Sequence, residues 1–458
     1  MKSFLKAVIS KQAADVDFLE IRIEESETTQ IGFRGPSIES LSQSSERGGC
    51  VRALYRGGWG FATFNSINED SVTYFIRSAI KQAKLVGRDT SRLAPVPVVD
   101  VVIPLNVIND PRNTPLERKI QILRNYNDQI LNAHEVIRMS SVRYLEKYTH
   151  KWFANSDGSY VEQETIDLGG GLVPIALKNG QTQMASVGYG SSNDFHVILG
   201  KEEKLEQACR HAVALVDAPA IEGGVYTVVV DPVLAGVFVH ESFGHTSEAE
   251  KVFDNEALAR VMKMGRQFGQ PVLNIYDSGL DIGCRGYVPY DDEGVKTEKT
   301  YLIREGRLAG RLHSRETAGR MSEKVTGNGR ALNFKYPPIP RMRNTCIEGG
   351  DSAFEDMIKD INLGVYAVDA MGGQGGEMFT FTAGRGYMIR NGKIEEMVKN
   401  VTLSGNLFKT LENIDMIGND FQTHDSGGGC GKGVQFPLPV SHSAPHIRIR
   451  DAVIAGSR

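Results

Sequence analysis

Apolar and polar positions along the first part of the chain recur with a period of two, broken by turn residues, and then switch to the helical period. Residues 17–24 alternate as a strand, 28–42 as a hairpin about Gly35-Pro36, 51–64 as another about Gly57-Gly58, and 69–85 as an amphipathic helix. The same order returns further along, with a strand at 136–147, a hairpin at 151–165 about Ser156-Asp157-Gly158, strands over 172–188 and a helix at 202–216. Helices near the N-terminus and at 116–131 would each precede one copy. The pattern predicts an N-terminal α+β domain, residues 1–220, as an internal duplication with repeats at about 1–90 and 115–217. A single domain with two similar hairpins is the simpler alternative.

Val216-Asp217-Ala218-Pro219-Ala220 reads as a linker into a second domain, residues 221–458. There 224–230 reads as a strand, Asp231 as an N-cap and Pro232 as the first helical residue. The helix that follows, 233–243, is apolar on nearly every face and should be buried. Beyond it, strand pairs are expected at 300–304 with 308–314 and at 386–390 with 393–399, and helices at 248–267 and 354–362. The glycine-rich run 371–377 reads as a wide loop before a strand at 378–382. The overall expectation is α+β, with a mainly β C-terminal domain that carries the buried helix.

Composition narrows the class. At 458 residues, 41% hydrophobic and 24% charged, the chain can bury a sizeable core in two domains or more. Its net charge of -4 is spread evenly, which leaves no electrostatic footprint for nucleic acid. The longest apolar stretch, 225–239, contains Asp231 and Pro232 and does not suit a bilayer span. Lys2 and Lys6 make the N-terminus too polar for a signal-peptide core. Five scattered cysteines without a CxxC pair do not form a disulfide framework, so a cytoplasmic protein is expected.

The chemistry concentrates in His240-Glu241-Ser242-Phe243-Gly244-His245. Two imidazoles can hold a metal ion, and the glutamate between them can take a proton from water. In a regular helix the two histidines, at i and i+5, would lie about 140° apart. They converge only if a π-bulge widens the turn or the helix ends between them, and Gly244 eases such a distortion. Catalytic zinc usually takes three protein ligands. Cys430, within Gly427-Gly428-Gly429-Cys430-Gly431-Lys432-Gly433, is the best third candidate, because glycines permit close approach and Lys432 would favour the thiolate. His424 and Asp425 stand in reserve. The same loop does not fit a phosphate-binding P-loop, since Ser426 replaces the first glycine and Gly433 the Ser/Thr, and an extended segment follows.

Taken in order, HESFGH with Glu248, Tyr290-Asp291-Asp292-Glu293-Gly294, Thr326-Gly327-Asn328 with Arg330, and Cys430-Gly431-Lys432 with Gln435 resemble the successive motifs of the TldD/PmbA peptidase family over nearly the whole chain. The chain departs from the common pattern at Val434, where the family usually has glycine. The resemblance implies a zinc-dependent peptidase with one ion on His240, His245 and Cys430 and Glu241 as general base. It also implies unfolded or extended peptide substrates and a homodimer or heterodimer with a related subunit. Proteins of the PmbA type are described as modulators of DNA gyrase, but the charge balance gives no support for DNA contact. Glu248, one turn after His245, could orient a ligand. Arg315, Asn328 and Arg330 could hold a substrate carbonyl or carboxylate. Asp291, Asp292 and Glu293 read as a solvated turn in preference to a binding cluster. Two rival readings are a non-catalytic peptide-binding subunit, which has no need of the full ligand-and-base set, and a structural zinc site, which needs a fourth ligand.

Overall fold

Four strands far longer than the usual 3–10 residues dominate the first half. In the computed structural model, which describes residues 1–88 and 91–455, they are β1 (Phe18–Arg34), β2 (Ser37–Tyr55), β5 (Ile137–Asn155) and β6 (Tyr160–Lys178). With β3 (Gly58–Phe64), β4 (Asp100–Ile103), β7 (Gln181–Met184) and β8 (Val187–Ser191) they form one sheet in the order β3-β2-β1-β5-β6-β4, with β7 and β8 also on β6. β1 and β5 pair antiparallel through its middle, from Glu20↔Asn155 to Arg34↔Ser141.

The length follows from the cores the strands serve. A strand of 17 residues runs roughly 55 Å at about 3.3 Å per residue, long enough to cross two helix pairs. Leu19, Ile21 and Ile23 of β1 pack under α1 (Lys2–Gln12) and α2 (Glu69–Val86), together with Leu5, Val72 and Ile76. Ile31 and Phe33, further along the same strand, pack under α3 (Leu116–Asn132) and α4 (Glu202–Asp217). The element order helix, long hairpin, short strand, helix thus occurs once and then returns with two short strands, β7 and β8, in place of one. The polar residues Glu25 to Glu27, expected to separate two strands, instead lie within β1. Pairing on both sides satisfies their backbone whatever the side chains are.

In the second half, β9 (Gly224–Val230) pairs with Leu363–Gln374 on one side and Ile447–Ala455 on the other. Thr402–Asn406 and Met378–Arg390 continue the series back to Leu363–Gln374, so the pairings close into a ring. A second sheet contains Ile275–Ser278, Asn344–Ile347 and Ser441–Ala444. Helix α5 (Pro232–Val239) is buried between ring and sheet, with Phe238 edge-on to Phe379 and Phe381. Asp231 caps it, accepting from the Leu234 amide at 2.9 Å, with Pro232 in the first turn, as the sequence predicts.

Four expectations need correction. The helix expected at 248–267 is two short helices, Ala249–Phe253 and Glu256–Val261, because Asn255 caps a new start by accepting from Leu258 N. The one expected at 354–362 stops as Phe354–Ile358, and the strand expected at 308–314 shrinks to Arg307–Leu308. The glycine-rich run is no wide loop up to Gln374, since the strand Leu363–Gln374 carries through it.

The acidic triplet is likewise not a solvated turn. Asp291, Asp292 and Glu293 are all buried and join the two halves. Asp292 accepts from Lys151 Nζ of β5 at 2.9 Å and lies 3.5 Å from Arg22 of β1, while Glu293 accepts from Arg52 of β2 at 2.8 Å. Asp291 takes the amides of Glu293, Val295 and Gly329. Acids in a row read as solvated only when no distant cation is known to meet them, and the lysine and arginines that pair with Asp292 and Glu293 lie more than a hundred residues away.

Candidate metal centre

Helix α5 gives way at His240 to a π-turn, His240–Gly244, before His245 resumes α-helical geometry. The widened turn carries the two imidazoles to the same side, with ring centroids 5.3 Å apart and planes at 80°. Gly244 serves close approach here, since a Cβ would stand 2.2 Å from Met342 Sδ. Cys430 reaches the pair from the strand Cys430–Lys432, with Sγ 3.4 Å from His245 Nε2. Potential ligand atoms of His240, His245 and Cys430 all lie within 4.8 Å of one another.

The remaining ring nitrogens are held by the protein. His245 Nδ1 faces Glu248 Oε2 at 3.1 Å, and His240 Nδ1 lies 3.5 Å from Thr345 Oγ1, which donates to Asp277 at 3.3 Å. His240 Nε2 is buried without a protein partner. A buried, unpartnered imidazole nitrogen beside a second imidazole and a thiol is a donor set suited to a borderline-soft cation such as zinc.

Electrostatics separates the members. Burial, reinforced by His442 and His245, pushes His240 well below the ordinary histidine value, so it is neutral and able to donate a lone pair. Burial alone would also lower His245, but its hydrogen bonds to Cys430 and Glu248 prevail and raise it to about 9. Burial favours the protonated form of Glu248 too, yet His245 and the nearby Lys432 and Lys251 hold its carboxyl below the usual range. Glu241 is raised by burial. Its side chain is 34% exposed against 13% for His245, and Oε2 lies 3.7 Å from His245 Nε2, so the carboxylate borders the centre on its open side.

Glu248 is wholly buried and bonds His245 and Lys432, the latter at 3.1 Å. Lys432 also bonds Glu250 and the Pro340 carbonyl, so its charge serves these carboxylates rather than the thiol. Val434 sits 78% exposed beyond the Gly433 turn (φ +57°), so the departure from the family pattern falls at a hairpin tip. Arg315, Asn328 and Arg330 are buried and bonded internally. Arg315 donates to Ala94 O and Asp157, Asn328 to Asp277 and Arg341 O, and Arg330 to Met342 O and Pro439 O. His424 pairs across strands with His442, and Asp425 bonds Ser441. Neither belongs to the three-residue cluster.

Sequence reasoning did not find four features. His442 stacks edge-on against His240 with centroids 4.6 Å apart, and burial lowers it to about 3. Thr345 and Asp277 stand behind His240. Gly375 lies so close to the motif that a Cβ would come 1.8 Å from the Glu241 carbonyl oxygen. Only the glycine run gave a sign of this close approach.

Residues 19–83, 109–216 and 223–456 match, in turn, domain 1, the central domain and the C-terminal domain of the PmbA/TldA metallopeptidases. Over its whole length the chain is 42% identical to a metalloprotease of Synechocystis sp., of which it covers 98%. It is 27% identical to a zinc metalloprotease TldD homolog of Saccharolobus solfataricus, with 91% of each chain covered. The fold is shared with the crystal structure of TldE from Thermococcus kodakarensis, at a TM-score of 0.77 and 19% identity over 99% of this chain and all of that one. The chain is a metallopeptidase and belongs to the TldD/PmbA family.

Proposed function

We propose that this peptidase works through one zinc ion held by His240, His245 and Cys430, with Glu241 as general base. The observation that supports it most is the convergence of three unlike donors within 4.8 Å around the unpartnered Nε2 of His240. Zinc bound there would supply Lewis acidity, lowering the pKa of water and polarising a scissile carbonyl. Glu241, raised by burial and on the open side, takes the proton of the attacking water and returns it to the leaving amine. Glu248 fixes the ring plane of His245, and Thr345 with Asp277 does the same for His240.

Substrates are peptides in extended form, because backbone pairing along a sheet edge reads conformation more than side chains. The working assembly is a dimer of like or related subunits, a reading favoured by the fold shared with TldE. No described helix is long and apolar enough to cross a membrane, which suits the expected cytoplasmic location. Glu241→Gln should retain zinc and bind peptide while turnover falls by about 100-fold or more. Near-normal turnover would remove Glu241 as the base, and loss of zinc would make it a ligand.

A further inference from the structure

A cavity of about 480 Å³ opens between the two halves of the molecule. That size lies within the usual range of ligand sites, about 300–1,000 Å³. Val173 and Ile175 of β6 with Met184 of β7 form one wall, and Val233 and Val237 of α5 face them. Val233 and Val237 are one turn apart on a single stripe of α5, and Glu241 follows Val237 by four residues, in the π-turn that continues the helix. Asp369 and Ala370 close another side. Their strand leads on to Gly375, whose backbone lies against Glu241. The cavity also reaches Gly428, just before Cys430, and His442, whose ring packs on His240. Cavity and ligand cluster therefore share the motif helix, the cysteine loop and the strand over Glu241.

The walls carry one free charge. Asp369 is paired with Arg385, whereas Arg143, exposed on β5, forms no ion pair among the described residues. An apolar chamber with a single unpaired guanidinium fits a ligand with an apolar body and a carboxylate, which guanidinium binds with charge-assisted, often bidentate hydrogen bonds. We infer that the cavity receives the C-terminal residue of a peptide, with its apolar side chain against Val173, Ile175 and Met184 and its α-carboxylate on Arg143. The bond offered to Glu241 then lies near the end of the substrate. Placing a scissile bond there rests on the peptidase reading above, but occupancy of the cavity can be measured by binding alone.

The test uses the full-length, zinc-loaded Glu241→Gln protein and calorimetry with one unstructured ten-residue peptide ending in leucine, supplied as the free acid and as the C-terminal amide. The acid should bind at least about tenfold more tightly than the amide, since only the carboxylate can form charge-assisted hydrogen bonds with a guanidinium. Adding Arg143→Gln, a change on an exposed side chain, should bring acid and amide to equal affinity, while Arg143→Lys should keep part of the preference. A peptide ending in aspartate should bind at least about tenfold more weakly than the leucine acid. Equal binding of acid and amide by the Arg143 protein, survival of the preference in Arg143→Gln, or no binding of either peptide would overturn the inference. The peptidase reading is judged separately, by whether the protein with Glu241 intact cuts the same peptide. A preference for the acid without cleavage would sink that reading and leave the cavity assignment standing.

Discussion

Glu248→Gln isolates the contribution of the group behind His245. The buried carboxylate accepts from His245 Nδ1 at 3.1 Å, and it faces Lys432 at 3.1 Å and Lys251 at 3.6 Å. Glutamine preserves the shape and one oxygen for His245 but removes the charge that keeps the ring oriented and basic. Loss of such a partner behind a metal-binding imidazole weakens metal affinity by about 10–100-fold, or about 1.4–2.7 kcal/mol. Lys432 keeps Glu250, so the fold should lose less than the roughly 3–5 kcal/mol of a fully orphaned buried ion. Competition with a chromogenic zinc chelator measures the affinity, and a thermal melt of the same samples controls for folding. A zinc affinity within twofold of the parent protein's would refute the claim that Glu248 positions His245.

Three further outcomes are expected. Gly375→Ala forces a Cβ to 1.8 Å from the Glu241 carbonyl oxygen, so peptide turnover should fall by about tenfold or more while zinc content stays constant; unchanged turnover would show that the loop does not set the position of Glu241. Although burial pushes the Asp292 carboxyl up, Lys151 and Arg22 hold it well below the usual range. Its folded value lies below the unfolded one, so its stabilisation is present above about pH 4 and lost as pH falls through the folded value. Asp292→Asn should therefore cost about 3–5 kcal/mol near pH 7, with the gap narrowing in acid denaturation series; a gap independent of pH would contradict this. Finally, one test protein and its destabilised mutant, followed by mass spectrometry, should be cut only in the unfolded form, because a folded substrate must open locally before its backbone can pair.

Much of the site was legible because its constraint is local. The offset between His240 and His245 cannot close on a regular helix, so a widened or interrupted turn was required, and the π-turn is the outcome. Asp231 and Pro232 announced the start of α5 in the same way, through bonds made within a turn. Glu248 was legible as a position but not as a buried one, because its burial depends on Lys432 arriving from far along the chain. The same distance hid His442, Thr345 and Asp277, and it turned the acidic triplet from an expected surface turn into the joint between the halves. Strand length was underestimated for a related reason. The polar stretch in β1 looks like a break unless it is known that β2 and β5 pair with both of its edges.

Zinc X-ray absorption on the purified protein tests the central claim most directly, because it reports the atoms around the ion without requiring turnover. With His240, His245 and Cys430 as the protein ligands, the account predicts about one zinc per chain, one sulfur at about 2.3 Å and two imidazole nitrogens at about 2.0–2.1 Å. Cys430→Ala should remove the sulfur. A spectrum without sulfur in the parent protein, or one with an unchanged sulfur signal in Cys430→Ala, would contradict it.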